Sequence, residues 1–70
     1  MRAWHSIAVT RQVVVNLTSG LTFRGILYKQ KGPLLVLKNA QLLEPGQAPV
    51  ELAGEVVIER ATVDFVQVVS

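Results

Sequence analysis

The sequence predicts an all-β domain, a small barrel of five short antiparallel strands that follows a short N-terminal helix. From residue 12 onward, apolar side chains recur at every second position, which is the period of a strand with one buried face. Glycine and proline divide these runs at the spacing of hairpins. Before them, Trp4, Ile7 and Ala8 follow helical spacing over about two turns. We expect residues 1–70 to form a single domain.

The first two predicted strands form a hairpin around a turn at residues 19–20, where Gly20 can adopt positive φ. Gly25 interrupts the second strand. An isolated glycine inside a strand indicates a sharp bend or a bulge, which a small barrel needs in order to close. The apolar residues on the inward face of this hairpin are Val13, Val15, Leu17, Leu21, Phe23 and Leu27.

Three further segments complete the predicted sheet. Residues 31–33 break the second strand, because Pro33 cannot donate a hydrogen bond to the ladder. The third strand, Leu34–Leu43, begins apolar on both faces, so one face needs cover from a helix or a partner subunit. The fourth strand, residues 50–59, alternates apolar residues with glutamates. A tight corner at Arg60–Thr62 leads into a short last strand.

Composition predicts self-association. A 70-residue chain buries only about 60% of the surface that its unfolded form exposes, and 50% hydrophobic residues are more than so small a core can hide. The chain has no cysteine and one histidine, His5, so disulfides and thiolate or histidine-rich metal sites are excluded. We therefore expect no metal and no cofactor. Without a long apolar run or a signal peptide, we expect a cytoplasmic protein with no membrane contact.

Charge is divided unevenly along the chain. The first 43 residues carry +6 and no acid, whereas the rest carry −4. Such asymmetry is found in proteins that bind a polyanion. Alternatively, two halves of a sheet, or neighbouring subunits, complement each other's charge.

We find no pattern typical of an enzyme. His5 lies beside Ser6, but adjacency in sequence does not make a catalytic triad. Glu51 and Glu55 lie four residues apart on a predicted strand, about 13 Å at 3.3 Å per residue, too far for a glycosidase pair. The glycines also lack the lysine and hydroxyl residue of a P-loop.

Two groups of residues resemble the motifs of the Sm-like family, which includes the Sm and Lsm proteins and bacterial Hfq. The likeness covers nearly the whole chain, although small SH3-like barrels share part of the spacing. The first motif is carried by Val13, Val15, Leu17, Gly20, Phe23, Gly25, Leu27 and the sequence Leu37-Lys38-Asn39. The second motif is carried by Gly54, Val56, Ile58, Val63 and Val66.

This resemblance implies a short N-terminal helix on a strongly bent five-stranded sheet. It also implies a homo-oligomeric ring of five to seven subunits, in which the fourth strand of one subunit pairs with the fifth strand of the next. Such a ring would cover the surplus apolar surface and the open strand edges of each subunit.

The chain differs from the family at the residues that bind uridine. Sm proteins use an aspartate, an asparagine and an Arg-Gly pair there, and Hfq has Lys-His in place of the last pair. A leucine cannot hydrogen-bond to a base edge, and a glutamate repels phosphate. At the corresponding positions this chain has Lys31 or Gln30, Leu34 or Leu35, and Glu59 followed by Arg60.

Basic residues nevertheless fall in the segments that the resemblance assigns to loops lining the pore. Lys29, Lys31 and Arg60 are the residues that we predict to bind nucleic acid, through phosphates and without recognition of sequence. Alternatively, Glu59 pairs with Lys31 or Arg60 of a neighbouring subunit and closes an electrostatic seam.

Arg24 and Tyr28 share the outward strand face, where they form either a secondary binding patch or an ordinary solvated surface.

Two functions follow from these expectations. The first is a ring that binds RNA or single-stranded nucleic acid weakly. The second is a structural ring or adaptor that has lost RNA binding, and a phage-encoded protein would suit either role.

Overall fold

The computed structural model describes residues 10–70, and these form one antiparallel sheet. The predicted N-terminal helix lies outside the described residues. Most residues that the alternating pattern assigned to strands lie in the observed strands, with exceptions that include Leu21 and residues 52–54. The elements are β1 Arg11–Leu17, β2 Thr22–Lys31, β3 Leu34–Leu43, β4 Val50–Glu51, β5 Glu55–Glu59, a 3-10 turn at Arg60–Thr62, and β6 Val63–Val68.

The strand order is β4-β3-β2-β1-β6, with β5 also paired to β3. The predicted fourth strand, residues 50–59, is therefore interrupted and appears as β4 and β5. Both pieces pair with β3, β4 opposite residues 41–42 and β5 opposite residues 34–38. The break includes Gly54, whose φ of +75° is incompatible with a continuous strand. The five-stranded topology is confirmed, with this one strand divided in two.

A bulge beside Gly25 confirms the predicted irregularity in the second strand. The register between β2 and β3 shifts between Arg24 and Ile26, and Asn39 on β3 has a φ of +50°. Asparagine tolerates this left-handed conformation better than most residues. A Cβ at position 25 would lie 3.0 Å from the Lys38 carbonyl oxygen and 3.1 Å from the Ala40 Cα. The two strands approach this closely only because residue 25 has no side chain.

The core lies on one face of the sheet and is entirely apolar among residues 10–70. It is formed by alternate residues of the first three strands together with Ile58 from β5. The start of β3 is buried on both faces, as predicted, because Val36 is 8% exposed although it lies opposite the core. The core residues are Val13, Val15, Leu27, Leu35, Leu37, Ala40 and Ile58.

Two edges of the sheet are open. Within residues 10–70, β6 pairs with β1 only and β5 pairs with β3 only, so each has one edge without a partner strand. The expected surplus of apolar surface is concentrated there: Val57 of β5 is 55% exposed and Phe65 of β6 is 51% exposed.

Candidate nucleic-acid interface

The β2–β3 hairpin and the corner after β5 meet at one end of the sheet. The hairpin turns over two residues, Gly32 and Pro33, since Lys31 already pairs with Leu34. The backbone N–H of Arg60 donates to the carbonyl oxygen of Pro33 at 2.7 Å. Two segments that the sequence analysis assigned to one binding site, around Lys31 and Arg60, are therefore held together by the fold.

Lys29 and Lys31 lie in β2, not in a loop. The loop that the family resemblance implied for them is therefore wrong, because the strand pairing continues through Lys31. A two-residue turn leaves the pairing intact up to Lys31, and proline at the turn does not need to donate to the ladder. Both lysines are exposed.

The register places both lysines on the face opposite the core. Lys29 pairs with Val36, and Val36 pairs with Val57. Lys31 pairs with Leu34, and Leu34 pairs with Glu59 in the same way. Directly paired residues share a face, and neighbouring strands lie about 4.8 Å apart, so the Lys31 and Glu59 backbones are roughly 10 Å apart. At moderate salt that is about one Debye length, so the Glu59 carboxylate lowers the positive potential around Lys31.

Arg24, by contrast, is bonded within the sheet. Its Nε donates to the Gln41 side-chain oxygen at 3.0 Å, and its Nη2 donates to the same atom. The Gln41 amide nitrogen in turn donates to the Glu51 carboxylate. A guanidinium on β2 is therefore linked through one amide to an acid on β4.

Lys38 has a comparable arrangement. Its ammonium lies 4.3 Å from the centroid of the Tyr28 ring, within the range of a cation–π contact. The Tyr28 hydroxyl donates to the Glu55 carboxylate. This hydrogen bond, with smaller contributions from burial and from the negative charge of Glu55, raises the pKa of Tyr28 above its usual 10.0. The predicted patch of Arg24 and Tyr28 thus consists of residues that already hold partners.

These contacts divide the basic half of the sequence into two groups. Arg24 and Lys38 are connected to acids of the C-terminal half, which supports the interpretation that the two halves complement each other. Lys29 and Lys31 form no side-chain hydrogen bond or ion pair in the part of the chain that the structure describes. The polyanion interpretation therefore rests on the hairpin end of the sheet.

Of the positions that the resemblance assigns to uridine binding, the two leucines carry no polar side-chain atom. Leu35 is 1% exposed and belongs to the core. Leu34 is half-buried and carries no polar atom. Gln30, the alternative aspartate position, has a buried Nε2 without a hydrogen-bond partner. This amide therefore has an unused hydrogen-bond donor. The alternating sequence pattern could not show that the donor is buried without a partner.

A groove of about 640 Å³ lies elsewhere, on the outward face of the first three strands. Its lining includes Arg24, Gly25, Asn39 and Gln41, and it includes none of the predicted binding residues. Since Arg24 and Gln41 are bonded to each other, their polar groups at this groove are partly occupied.

In residues 10–70 no group of three or more His, Cys, Asp or Glu side chains is placed to hold a metal ion. Over the same residues no helix is long and apolar enough to cross a membrane.

Comparison with known proteins gives matches among solved structures only. No family model matches the sequence, and no curated protein matches it. A heptameric archaeal Sm protein, described with its implications for the eukaryotic snRNP core, is 26% identical, with a TM-score of 0.81 over 97% of this chain and 98% of that one. The SmAP1 heptamer of P. aerophilum is 25% identical, with a TM-score of 0.82 over 100% of this chain and 93% of that one.

The fold thus agrees with these structures along nearly the entire length of the chain. The protein has the Sm-like fold.

Proposed function

We propose that the protein forms a ring of identical subunits that binds RNA or single-stranded nucleic acid weakly, through the phosphate backbone. Lys29, Lys31 and Arg60 are the proposed contacts. The observation that carries this proposal is the pair of exposed lysines on the outward face of β2, neither of which has a partner in the described chain.

Assembly into a ring is supported by the two open edges. An unpaired strand edge with exposed apolar side chains is a template for another chain, and a heterologous contact of this kind closes into a ring when the angle permits. Both similar structures are heptamers, which favours seven subunits within the expected five to seven. In a ring, each lysine is repeated once per subunit and forms a belt of charge.

The proposed mechanism is to hold a strand without recognising its sequence. Lysine ammonium groups bind phosphates as point charges, and each neutralised phosphate releases counterions, so affinity falls steeply with salt. The leucines at positions 34 and 35 cannot hydrogen-bond to a base edge, and the Glu59 carboxylate reduces the attraction for phosphate. We therefore expect weak binding and little difference between oligo-U and oligo-A. The protein would act in the cytoplasm as a scaffold and would catalyse no reaction.

The test compares two charge-matched double variants. Binding of oligo-U, oligo-A and mixed-sequence RNA is measured at two salt concentrations for Lys29→Ala/Lys31→Ala and for Arg24→Ala/Lys38→Ala. Each variant removes two positive charges, but only the first removes the unpartnered ones. We expect the first to lose about tenfold or more in affinity and its salt slope to fall by about 0.7 per lost phosphate contact. The second should bind nearly as well as the parent.

Equal losses in the two variants would mean that only net charge matters, and undiminished binding by the first would remove the lysines from the site. Light scattering tests the ring separately: a stable folded monomer at high concentration would contradict it.

The alternative is a structural ring or adaptor that has lost RNA binding. Glu59 favours it, because an exposed carboxylate lies across Leu34 from Lys31. A ring that retains no RNA even at low salt would establish this alternative over the first proposal.

A further inference from the structure

The groove on the outward face of β1–β3 crosses the bulge at Gly25 and has a mixed lining. Its volume of about 640 Å³ is in the range of small-molecule sites, roughly 300–1,000 Å³. The described residues that line it contribute one cation, amide side chains and apolar side chains, and no acid. The groove lies between strands that are already paired, so it uses neither of the open edges of the sheet.

The cation is Arg24, whose orientation is fixed by Gln41. The Arg24 Nε and Nη2 both donate to the Gln41 side-chain oxygen, and the Gln41 amide donates to Glu51. Two of the five guanidinium N–H groups are thereby used, and those on the outer edge, between Nη1 and Nη2, have no partner among the described residues. That edge is the fork to which a carboxylate binds through two parallel hydrogen bonds. Because Gln41 already holds the side chain, less rotamer entropy is lost when a ligand binds.

Two further amides at the groove, those of Gln12 and Asn39, form no side-chain hydrogen bond within residues 10–70. Asn39 lies in the bulge with a φ of +50°. A bulge changes the direction in which a side chain leaves its strand, and bulges are frequent beside binding sites. Both amides therefore have donors and acceptors available to a molecule in the groove.

Apolar side chains lie directly beside these polar groups. Val14 pairs with Arg24, and Ile26 pairs with Gln12. The backbone N–H of Val69 donates to the Gln12 carbonyl oxygen at 2.8 Å, which brings Val69 to the same surface. Val69 is 52% exposed, and Val14 and Ile26 are half-buried. A ligand in the groove would thus remove apolar surface from water next to the guanidinium.

We propose that this groove binds a small organic anion in which a carboxylate is attached to a flat apolar body, as in an aromatic acid. The carboxylate binds the outer edge of Arg24, and the apolar body covers Val14, Ile26 and Val69. A single guanidinium without a lysine beside it matches a singly charged carboxylate better than a doubly charged phosphate. The site is separate from the residues proposed to bind nucleic acid, none of which lines the groove.

The test uses naphthoate as the probe and naphthamide, its neutral counterpart of the same shape, as the control ligand. Isothermal titration calorimetry with the full chain should show naphthoate binding about tenfold or more tightly than naphthamide, since the charged hydrogen bonds to Arg24 are made only by the carboxylate. Arg24→Lys keeps the positive charge and loses the planar fork, and it should weaken naphthoate about fivefold or more. Lys31→Ala removes a positive charge far from the groove, and naphthoate should bind this variant as it binds the parent.

Proton–nitrogen correlation spectra locate the bound probe independently. The side-chain amide signals of Gln12, Asn39 and Gln41 should shift on addition of naphthoate, and that of Gln47, in the loop before β4, should not. The inference is overturned if naphthoate does not bind, if naphthamide binds equally well, or if Lys31→Ala weakens binding as much as Arg24→Lys. A nucleoside monophosphate that binds more tightly than naphthoate and shifts the same signals would make the groove a nucleotide site instead.

Discussion

The inner strands β1–β3 and the edge strands β5 and β6 use the same residue types for different purposes. Val15 on β1 is fully buried, whereas Val57 on β5 is 55% exposed. Arg24 and Lys38, in the middle of the sheet, have polar or aromatic partners, whereas Lys29 and Lys31, at its end, have none in the described chain. The middle of the sheet thus holds the charged groups of Arg24 and Lys38 within one subunit. The edge strands and the hairpin end of β2 leave apolar and basic side chains exposed to other molecules.

Apolar side chains in this chain therefore serve two separate purposes. A valine in the middle strands contributes to folding, and a valine on β5 contributes to association. If both functions were carried by the same residues, β1 and β5 would respond alike to the same substitution.

The largest expected difference is between two valine-to-alanine variants. Val15→Ala removes two buried methyl groups and leaves a cavity, so we expect it to lower the free energy of unfolding by about 2–3 kcal/mol. Val57→Ala should change that free energy by less than about 0.5 kcal/mol in a subunit held monomeric by dilution. Urea denaturation followed by circular dichroism measures both.

The effects of the two valine variants on ring assembly should be reversed. Val57→Ala is expected to raise the protein concentration needed for ring formation in light scattering, and Val15→Ala to leave it unchanged wherever the chain is folded. If Val57→Ala weakened folding as much as Val15→Ala, the division between the two regions would be wrong.

A smaller effect is expected at the closest approach of the inner strands. Gly25→Ala places a Cβ 3.0 Å from the Lys38 carbonyl oxygen and 3.2 Å from the Ala40 Cβ, and backbone must move to accept it. We expect a loss of about 1–3 kcal/mol in the free energy of unfolding, the usual cost of overpacking. Thermal or urea unfolding checks this value.

The double variant Gly25→Ala/Ala40→Gly serves as the control, because it removes one of the two crowded side chains. The free energy of unfolding of this double variant should be higher than the value expected from adding the separate losses of Gly25→Ala and Ala40→Gly. A Gly25→Ala protein as stable as the parent would show that β2 and β3 separate freely at the bulge, against the close packing observed.

Much of the inner region could be predicted from the sequence. The alternation at Val13, Val15 and Leu27 gave the buried face, and Gly25 gave the bulge, because both depend on local backbone geometry. Gly54, in contrast, splits a strand whose apolar pattern continues in phase on both sides. The alternation of apolar residues does not depend on the φ of the residues between them, so it gave no sign that Gly54 has a positive φ.

The candidate site was predictable only in part. Its basic residues are visible in the sequence, but their partners depend on which strands become neighbours. Gln41 connects Arg24 to Glu51 across three strands, and no spacing rule brings residues from such separate segments together. Lys29 and Lys31 also lie in β2 and not in the expected loop, because the turn consists of only Gly32 and Pro33. Proline is compatible with this turn since no backbone N–H is needed at its position.

The smallest expected effect concerns Tyr28, which links the middle of the sheet to the β5 edge. Its raised pKa means that the neutral hydroxyl is favoured in the folded chain, where it donates to Glu55. This contribution to stability is complete below the unfolded pKa of about 10 and is lost as pH rises through the higher folded value.

Tyr28 is the only tyrosine, so ultraviolet absorbance of the tyrosinate reports it alone. Glu55→Gln keeps an acceptor but removes the charge, and should move the titration midpoint down toward 10. Glu51→Gln, which removes an acid bonded to Gln41 instead, should leave the midpoint unchanged. Equal shifts in both variants would show that overall charge, and not the contact with Glu55, sets the pKa of Tyr28.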